Sequence, residues 1–161
     1  MKKAINLGAG SDIQESSKEW HWVNVDCIMR GGIDEITDFE SEVDTLLFMK
    51  KHAGVYDKVL AKDFIEHFSD KVGIMTIIND LLKVGGLAEI KVPILNVQDP
   101  QHKSLWDLNS FLYFTKWSWY TRSQGWHGFF ELVDWKKNTV QSEEGWDDVE
   151  MLHITLRKKS R

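Results

Sequence analysis

Short apolar runs ending near Gly, Asp or Pro alternate with segments whose apolar residues recur at helical spacing, the pattern of strand–helix units on a mostly parallel sheet. Five such runs come early: Ala4 to Leu7, Trp22 to Val25, Ile33 to Thr37, Lys58 to Ala61 and Leu87 to Val92. They are followed by Gly8, Asp26, Asp38, Asp63 and Pro93. Phe129 to Trp135 and Glu150 to Arg157 flank a polar stretch containing Gly145, so these two later runs are expected to pair as a hairpin. The clearest helix is predicted over 70–84, where Ile74, Ile77, Ile78, Leu81 and Leu82 share a face, with Ser69 as cap and Gly85-Gly86 as terminator. A second is predicted from Glu42 to Ala53, with Ser41 and Asp44 as a capping box and Val43, Leu46 and Leu47 on one face. A third is expected from Leu105 to about Phe114, where the Trp and Phe content suits helix or strand.

Composition narrows the setting. At 161 residues and 42% hydrophobic, the chain is sized for one domain, residues 1–161, with a core that needs no staples. The single cysteine, Cys27, cannot form an internal bridge, and no apolar leader or membrane span is visible, so a soluble, cytoplasmic protein is expected. A net charge of −5 argues against a duplex nucleic-acid partner, whose affinity comes from neutralised phosphates. Six of the eight tryptophans (Trp106, Trp117, Trp119, Trp126, Trp135, Trp146) fall after residue 100, and this half offers core filling or the contacts of a homo-oligomer.

The chemistry gathers at predicted strand ends. Gly8-Ala9-Gly10 follows the first strand, and two glycines one residue apart let the backbone turn tightly and approach a ligand. The dinucleotide fingerprint would need a third glycine where Ile13 stands, which counts against a nicotinamide-dependent oxidoreductase. Asp26, Asp38 and Asp63 close or follow the next three strands; each alone is an ordinary turn or cap residue. Together, beside a glycine turn, they mark the edge along which open α/β sheets bind ligands.

The order Asn6-Leu-Gly-Ala-Gly10, Trp22-Val-Asn-Val-Asp26, Asp38-Phe39, Asp63-Phe-Ile-Glu66-His67-Phe68, Leu81-Leu-Lys-Val-Gly85-Gly86 and Ile90-Lys-Val-Pro93 resembles the small class I S-adenosylmethionine-dependent methyltransferases. The resemblance implies a three-layer Rossmann-like domain with a seven-stranded, mostly parallel sheet whose last strand is antiparallel. It also implies S-adenosylmethionine as cofactor: Gly8, Ala9 and Gly10 at its methionine portion, Asp26 at the ribose with Cys27 at the cofactor edge, and Asp38 with the Phe39 backbone at the adenine. Asp63 and Phe64 would lie near the transferable methyl. The sequence departs from the family at Asn6, where an acid is usual, at Asp12, where a third glycine is usual, and in the short segment between the first two strands.

Asp63, Glu66 and His67 fall at helical i, i+3 and i+4 positions and can share a face, the spacing of a base or a metal site. The resemblance implies instead that Glu66-His67 helps to fix the turn after the fourth strand, which is the favoured reading, and since methyl transfer from a sulfonium needs no metal, none is expected. The acceptor side should be the segment Asp99 to Trp106, placing His102 as a candidate base in competition with His67. The expected activity is methyl transfer to an oxygen, or in second rank a nitrogen, of a small-molecule or glycan acceptor. The rival is a methyltransferase-like binding module that keeps a nucleoside ligand or partner without turnover.

Overall fold

The structure, a computed structural model, describes residues 1–94, 99–116, 118–141 and 148–160. Gly145, Trp117 and Trp146 lie outside the described residues. Seven strands, β1 (Lys2–Leu7), β2 (Trp20–Asp26), β3 (Glu35–Ile36), β4 (Tyr56–Lys62), β5 (Leu82–Pro93), β6 (Phe130–Val140) and β7 (Val149–Lys158), form one sheet in the order β3-β2-β1-β4-β5-β7-β6. The pairs from β3 through β5 are parallel, whereas β7 runs antiparallel to both β5 and β6. The hairpin expected of the two late runs is therefore present.

Side-chain alternation decides which face is core. Ile5 and Leu7, Val59 and Ala61, Ile90 and Val92, and Ile154 and Leu156 all point to one side and are buried. Helices α1 (Glu42–His52), α2 (Lys71–Leu81) and α3 (Leu108–Phe114) supply Phe48, Ile74, Met75, Ile78, Phe111 and Phe114 to the same core. A fourth helix, α4 (Trp119–Ser123), follows before β6. Right-handed crossovers put the β3–β4, β4–β5 and β5–β6 connections, which carry these helices, on this face.

On the other face, loops take the place of helices. Residues 8–19 and 27–34, the β1–β2 and β2–β3 connections, contain none. The first of these loops folds back over the sheet: the Asn6 amide donates to the Asp12 carbonyl (2.7 Å), the Gln14 N–H to the Asn24 side chain (2.9 Å), and Lys62 pairs with Asp12 (2.7 Å). An ionised acid at position 6 could not make this bond, because a carboxylate only accepts whereas the Asn6 amide donates to the carbonyl. Towards β7 this face is polar, with Lys58 and Glu89 in an ion pair (2.7 Å) and Lys91, His153 and Thr155 nearby in register.

Three predicted elements are realised with corrections. Helix α2 ends at Leu81, three residues early, because Leu82 pairs with Tyr56 and opens β5; Lys83 to Gly86 then bulge out before Leu87 meets Lys58. Its cap is Asp70, whose carboxylate accepts from the Gly73 N–H (2.8 Å), not Ser69. In α1 the predicted apolar face is turned outward: Val43, Leu46 and Leu47 are 66%, 56% and 60% exposed, while Phe48 and His52 are buried. Aromatic contact sets this rotation, since Phe48 meets Phe39 edge-on at 5.0 Å and stacks on His52 at 4.3 Å. Helix α3 begins at Leu108, under a capping box of Asp107 and Ser110. Of the late tryptophans, Trp106 and Trp126 fill the core, whereas Trp119 and Trp135 are exposed, as is Tyr120.

One polar chain ties β3, α1 and β4 together. His52 Nε2 lies 2.9 Å from the Glu35 carboxylate and so carries the proton, which leaves Nδ1 to accept from the Tyr56 hydroxyl at 2.5 Å. Burial, joined by the Glu35 charge, pushes the Tyr56 phenol pKa up. Burial raises that of Glu35, but hydrogen bonds from Lys51 and His52 outweigh it and the net shift is downward.

Tyr56→Phe leaves a buried imidazole nitrogen unpaired, so urea unfolding should show a loss of about 1–3 kcal/mol. Because the Glu35 pKa is depressed in the folded state, its contribution is present above the unfolded value of 4.5 and lost as pH falls through the lower folded value. Glu35→Gln should therefore flatten the fall in stability between about pH 5 and 3, measured as urea midpoints across that range.

Candidate functional site

The sheet order reverses between β1 and β4, since the chain leaves β1 towards β2 but returns from β3 to β4 on the opposite side. Loops that follow these two strands diverge, and the crevice between them is where open α/β sheets place ligands. A cleft of about 650 Å³ opens there. Gly8, Asp26, Cys27, Asp38, Phe39, Asp63, Phe64 and His67 line it, all singled out from sequence. Arg30, Thr37, Glu40, Phe68, Pro100, Gln101 and Lys103 line it as well. Pro100, Gln101 and Lys103 fall in the segment expected to face the acceptor. Arg30 and Thr37 carry no comparable signal, because the β2–β3 loop brings Arg30 to the edge and Thr37 reaches it as the residue after β3.

The glycine turn is held from both sides. Gly8 sits at φ +63°, and a Cβ placed there would come within 2.4 Å of Phe64 Cδ2, so the loops after β1 and β4 touch through a position that only glycine fits. Asp26 accepts from the Gly10 N–H (2.9 Å) through one oxygen and from the Ile28 N–H (3.0 Å) through the other. Its carboxylate thus bridges the glycine loop to the β2–β3 loop while facing the cleft. Ala9 donates its N–H to the Val25 carbonyl (3.0 Å), and Ala9 and Gly10 shape the loop behind the cleft lining. Asp38 caps the next turn by accepting from the Glu40 N–H (2.9 Å). Phe39 lies edge-on to Phe48 and Phe64.

Asp63 follows β4 at φ +47°, a left-handed conformation that costs a non-glycine residue about 1–3 kcal/mol and is tolerated best by Asp and Asn. It turns the chain into a short 3-10 segment, Ile65–His67. Burial raises the Cys27 thiol pKa, with the Asp26 charge adding to it, which suits a lining group rather than a nucleophile.

At the far end of the cleft the two predicted histidines meet. His67 lines the cleft with Nδ1 3.3 Å from the Gln101 carbonyl, and the His102 ring lies 5.2 Å away. His102 packs behind His67, its Nε2 3.6 Å from Asp99 and 3.9 Å from Glu66. Glu66 is 1% exposed, and burial, with the Asp63 and Asp99 charges adding, raises its carboxyl pKa to about 8. Its backbone carbonyl accepts from the N–H groups of Lys103 (2.8 Å) and Ser104 (3.0 Å), fastening the loop after β5 to the 3-10 segment. Lys103 in turn pairs with Glu40 across the cleft rim.

No family model matches the chain, and no curated protein does. Solved structures do. An S-adenosylmethionine-dependent methyltransferase from Methanosarcina mazei aligns over 99% of this chain and 93% of its own with a TM-score of 0.64 at 11% identity. The chain has the class I S-adenosylmethionine-dependent methyltransferase-like fold. A 1,6-didemethyltoxoflavin N1-methyltransferase from Burkholderia thailandensis, solved with its acceptor and S-adenosylhomocysteine, covers 99% of this chain and 72% of its own (TM-score 0.58, 11% identity). A [4+2]-cyclase also aligns over 99% of this chain and 75% of its own (TM-score 0.63, 12% identity). One methyltransferase-like fold thus carries different reactions, and the site must argue the chemistry.

Gly8→Ala should destabilise the chain by about 1–3 kcal/mol, combining a positive φ with the clash on Phe64. Gly10, at φ +51°, has no neighbour nearer than 4.0 Å to a built Cβ, so Gly10→Ala should cost less. Urea midpoints of the two variants check this order.

Proposed function

We propose that the chain is an S-adenosylmethionine-dependent methyltransferase acting on an oxygen, and in second rank a nitrogen, of a small-molecule or glycan acceptor. The observation that supports it most is the sequence of groups along one cleft: glycine loop, Asp26, Asp38 with Phe39, then Asp63, Phe64 and His67. The lining fits such a cofactor. Asp26 offers a carboxylate to ribose hydroxyls, Phe39 an apolar wall to the adenine, and the missing Cβ of Gly8 leaves the backbone open beside Phe64. Four acids (Asp26, Asp38, Glu40, Asp63) against Arg30 and Lys103 make the lining favourable to a molecule carrying a sulfonium and an ammonium group.

When bound, the cofactor supplies an activated methyl group whose carbon–sulfur bond breaks as the acceptor's lone pair attacks, the electrons staying on sulfur. The chain's own part is alignment and handling of the acceptor's proton. Phe64 and Asp63 wall the end of the cleft where the acceptor enters. His67 is oriented there by the Gln101 carbonyl, which takes Nδ1–H and leaves Nε2 as the acceptor of a proton. His102 backs it.

A second reading is a binding module without turnover. It draws on the β1–β2 connection, where no helix follows the glycine loop and so no helix N-terminus faces the ligand, and on an Asp26 already engaged by two backbone N–H groups. Calorimetry with S-adenosylhomocysteine tests the shared premise: the intact chain should bind, and Asp26→Ala should weaken binding by roughly 1–3 kcal/mol through lost charge-assisted hydrogen bonds. Absence of binding by the intact chain overturns both readings, and unchanged affinity in a folded Asp26→Ala variant removes Asp26 from the ribose site. Binding without methyl transfer to any acceptor in a hydroxyl- and amine-bearing panel selects the second reading.

A further inference from the structure

Three donors from two loops converge beside the cleft. Glu66 and His67 come from the 3-10 segment after β4, and His102 from the loop after β5; one ligand atom of each lies within 4.8 Å of the others. Both Glu66 carboxylate oxygens are buried and have no hydrogen-bond partner among the described residues. The ionised form of a carboxyl so placed costs several kcal/mol unless a positive group meets it, and the neutral form leaves both oxygens without a partner. The nearest candidate is His102 Nε2, at 3.9 Å from Glu66 Oε1, beyond hydrogen-bond distance.

We infer that Glu66, His67 and His102 form a site for a divalent transition-metal cation at the acceptor end of the cleft. The donor set decides the class of ion. Two imidazoles and one carboxylate suit zinc, cobalt, manganese or iron(II), whereas magnesium and calcium take all-oxygen shells. Tetrahedral ligand bonds of about 2.0–2.2 Å hold donors about 3.5 Å apart. The three groups therefore need to close by about 1 Å, within reach of rotamer adjustment in two half-buried imidazoles. The Nδ1 of His67 already faces the Gln101 carbonyl, the outer partner that fixes a metal-binding imidazole with Nε2 presented to the ion. Asp99, 3.6 Å from His102 Nε2, adds a further negative charge at the rim of the site.

Three protein ligands leave at least one coordination position, and His67 brings that position to the cleft. Its use rests on the methyl-transfer reading: an acceptor hydroxyl that ligates the cation becomes more acidic and releases its proton to solvent before its oxygen takes the methyl group. The two histidines would then act on the acceptor through the ion rather than as direct bases.

The site itself is tested without cofactor or acceptor. Chelator-stripped protein titrated with cobalt(II) should develop a visible d–d absorption band that saturates at one ion per chain, that zinc abolishes and that magnesium at equal concentration leaves unchanged. Glu66→Gln, which keeps the volume and removes the charge, and His102→Ala should each weaken cobalt binding by at least about tenfold. In the intact chain the ring resonances of His67 and His102 should shift when zinc is added, a readout that does not require any variant to fold. No saturable band, displacement by magnesium, or histidine resonances that zinc does not move would overturn the site. Cofactor calorimetry in the presence of chelator separates its failure from failure of the methyltransferase reading.

Discussion

Everything functional in this chain depends on how closely the loops after β1 and β4 approach at the reversal of strand order. Gly8 and Phe64 meet there, with no room for a side chain on the first. The contact fixes the floor of the cleft. It also sets the direction in which Asp63, at positive φ, sends the chain into the 3-10 segment that carries Glu66 and His67. Backbone strain at Asp63 and a glycine-only conformation at Gly8 are costs that the sheet beneath them offsets. Ile5, Leu7, Val59 and Ala61 on those same strands are buried to near zero exposure.

The walls are fastened by polar bonds that cross between loops. Asp26 joins the glycine loop to the β2–β3 loop, the Glu66 carbonyl holds the loop after β5, and Lys103 reaches Glu40 over the rim. Together these bonds join the ends of β1, β2, β3, β4 and β5. The cleft is consequently a property of the whole parallel half of the sheet, and a change at one strand end is felt at the next.

The uneven covering of the sheet is equally informative. Helices occupy the face carrying the strictly buried alternate residues, and the loop of residues 8–19 covers part of the other through Asn6, Asn24 and Lys62. A glycine loop that runs into such a cover, rather than into a helix, must obtain its rigidity from side chains. Asp26 and Asn6 provide it. Asn6 and Asp12 both hold the loop: the Asn6 amide donates to a carbonyl of the loop and the Asp12 carboxylate pairs with Lys62. The aligned [4+2]-cyclase shows that a fold of this kind leaves the reaction open, which places the burden on the groups at the cleft's far end.

Much was legible from sequence because the governing interactions are local. Alternating or continuous apolar runs mark strands, punctuation by Gly and Asp marks their carboxyl ends, and eight of the cleft-lining residues sit at those ends. What sequence could not decide depends on partners distant in the chain. The outward rotation of α1 follows from Phe48 packing on Phe39 and His52, and its apolar periodicity pointed the other way. The early end of α2 follows from Leu82 pairing with Tyr56, a competitor that helical spacing cannot reveal. Asp70 rather than Ser69 caps α2 because a cap is chosen by which oxygen reaches the Gly73 N–H, and adjacent polar residues look alike in sequence. Glu66 and His67 were visible as neighbours, but the arrival of His102 beside them, and the burial that leaves Glu66 without a partner among the described residues, exist only once the loop after β5 is bound to the Glu66 carbonyl. Sequence spacing reports on one element at a time, whereas desolvation and the convergence of donors belong to the space between elements.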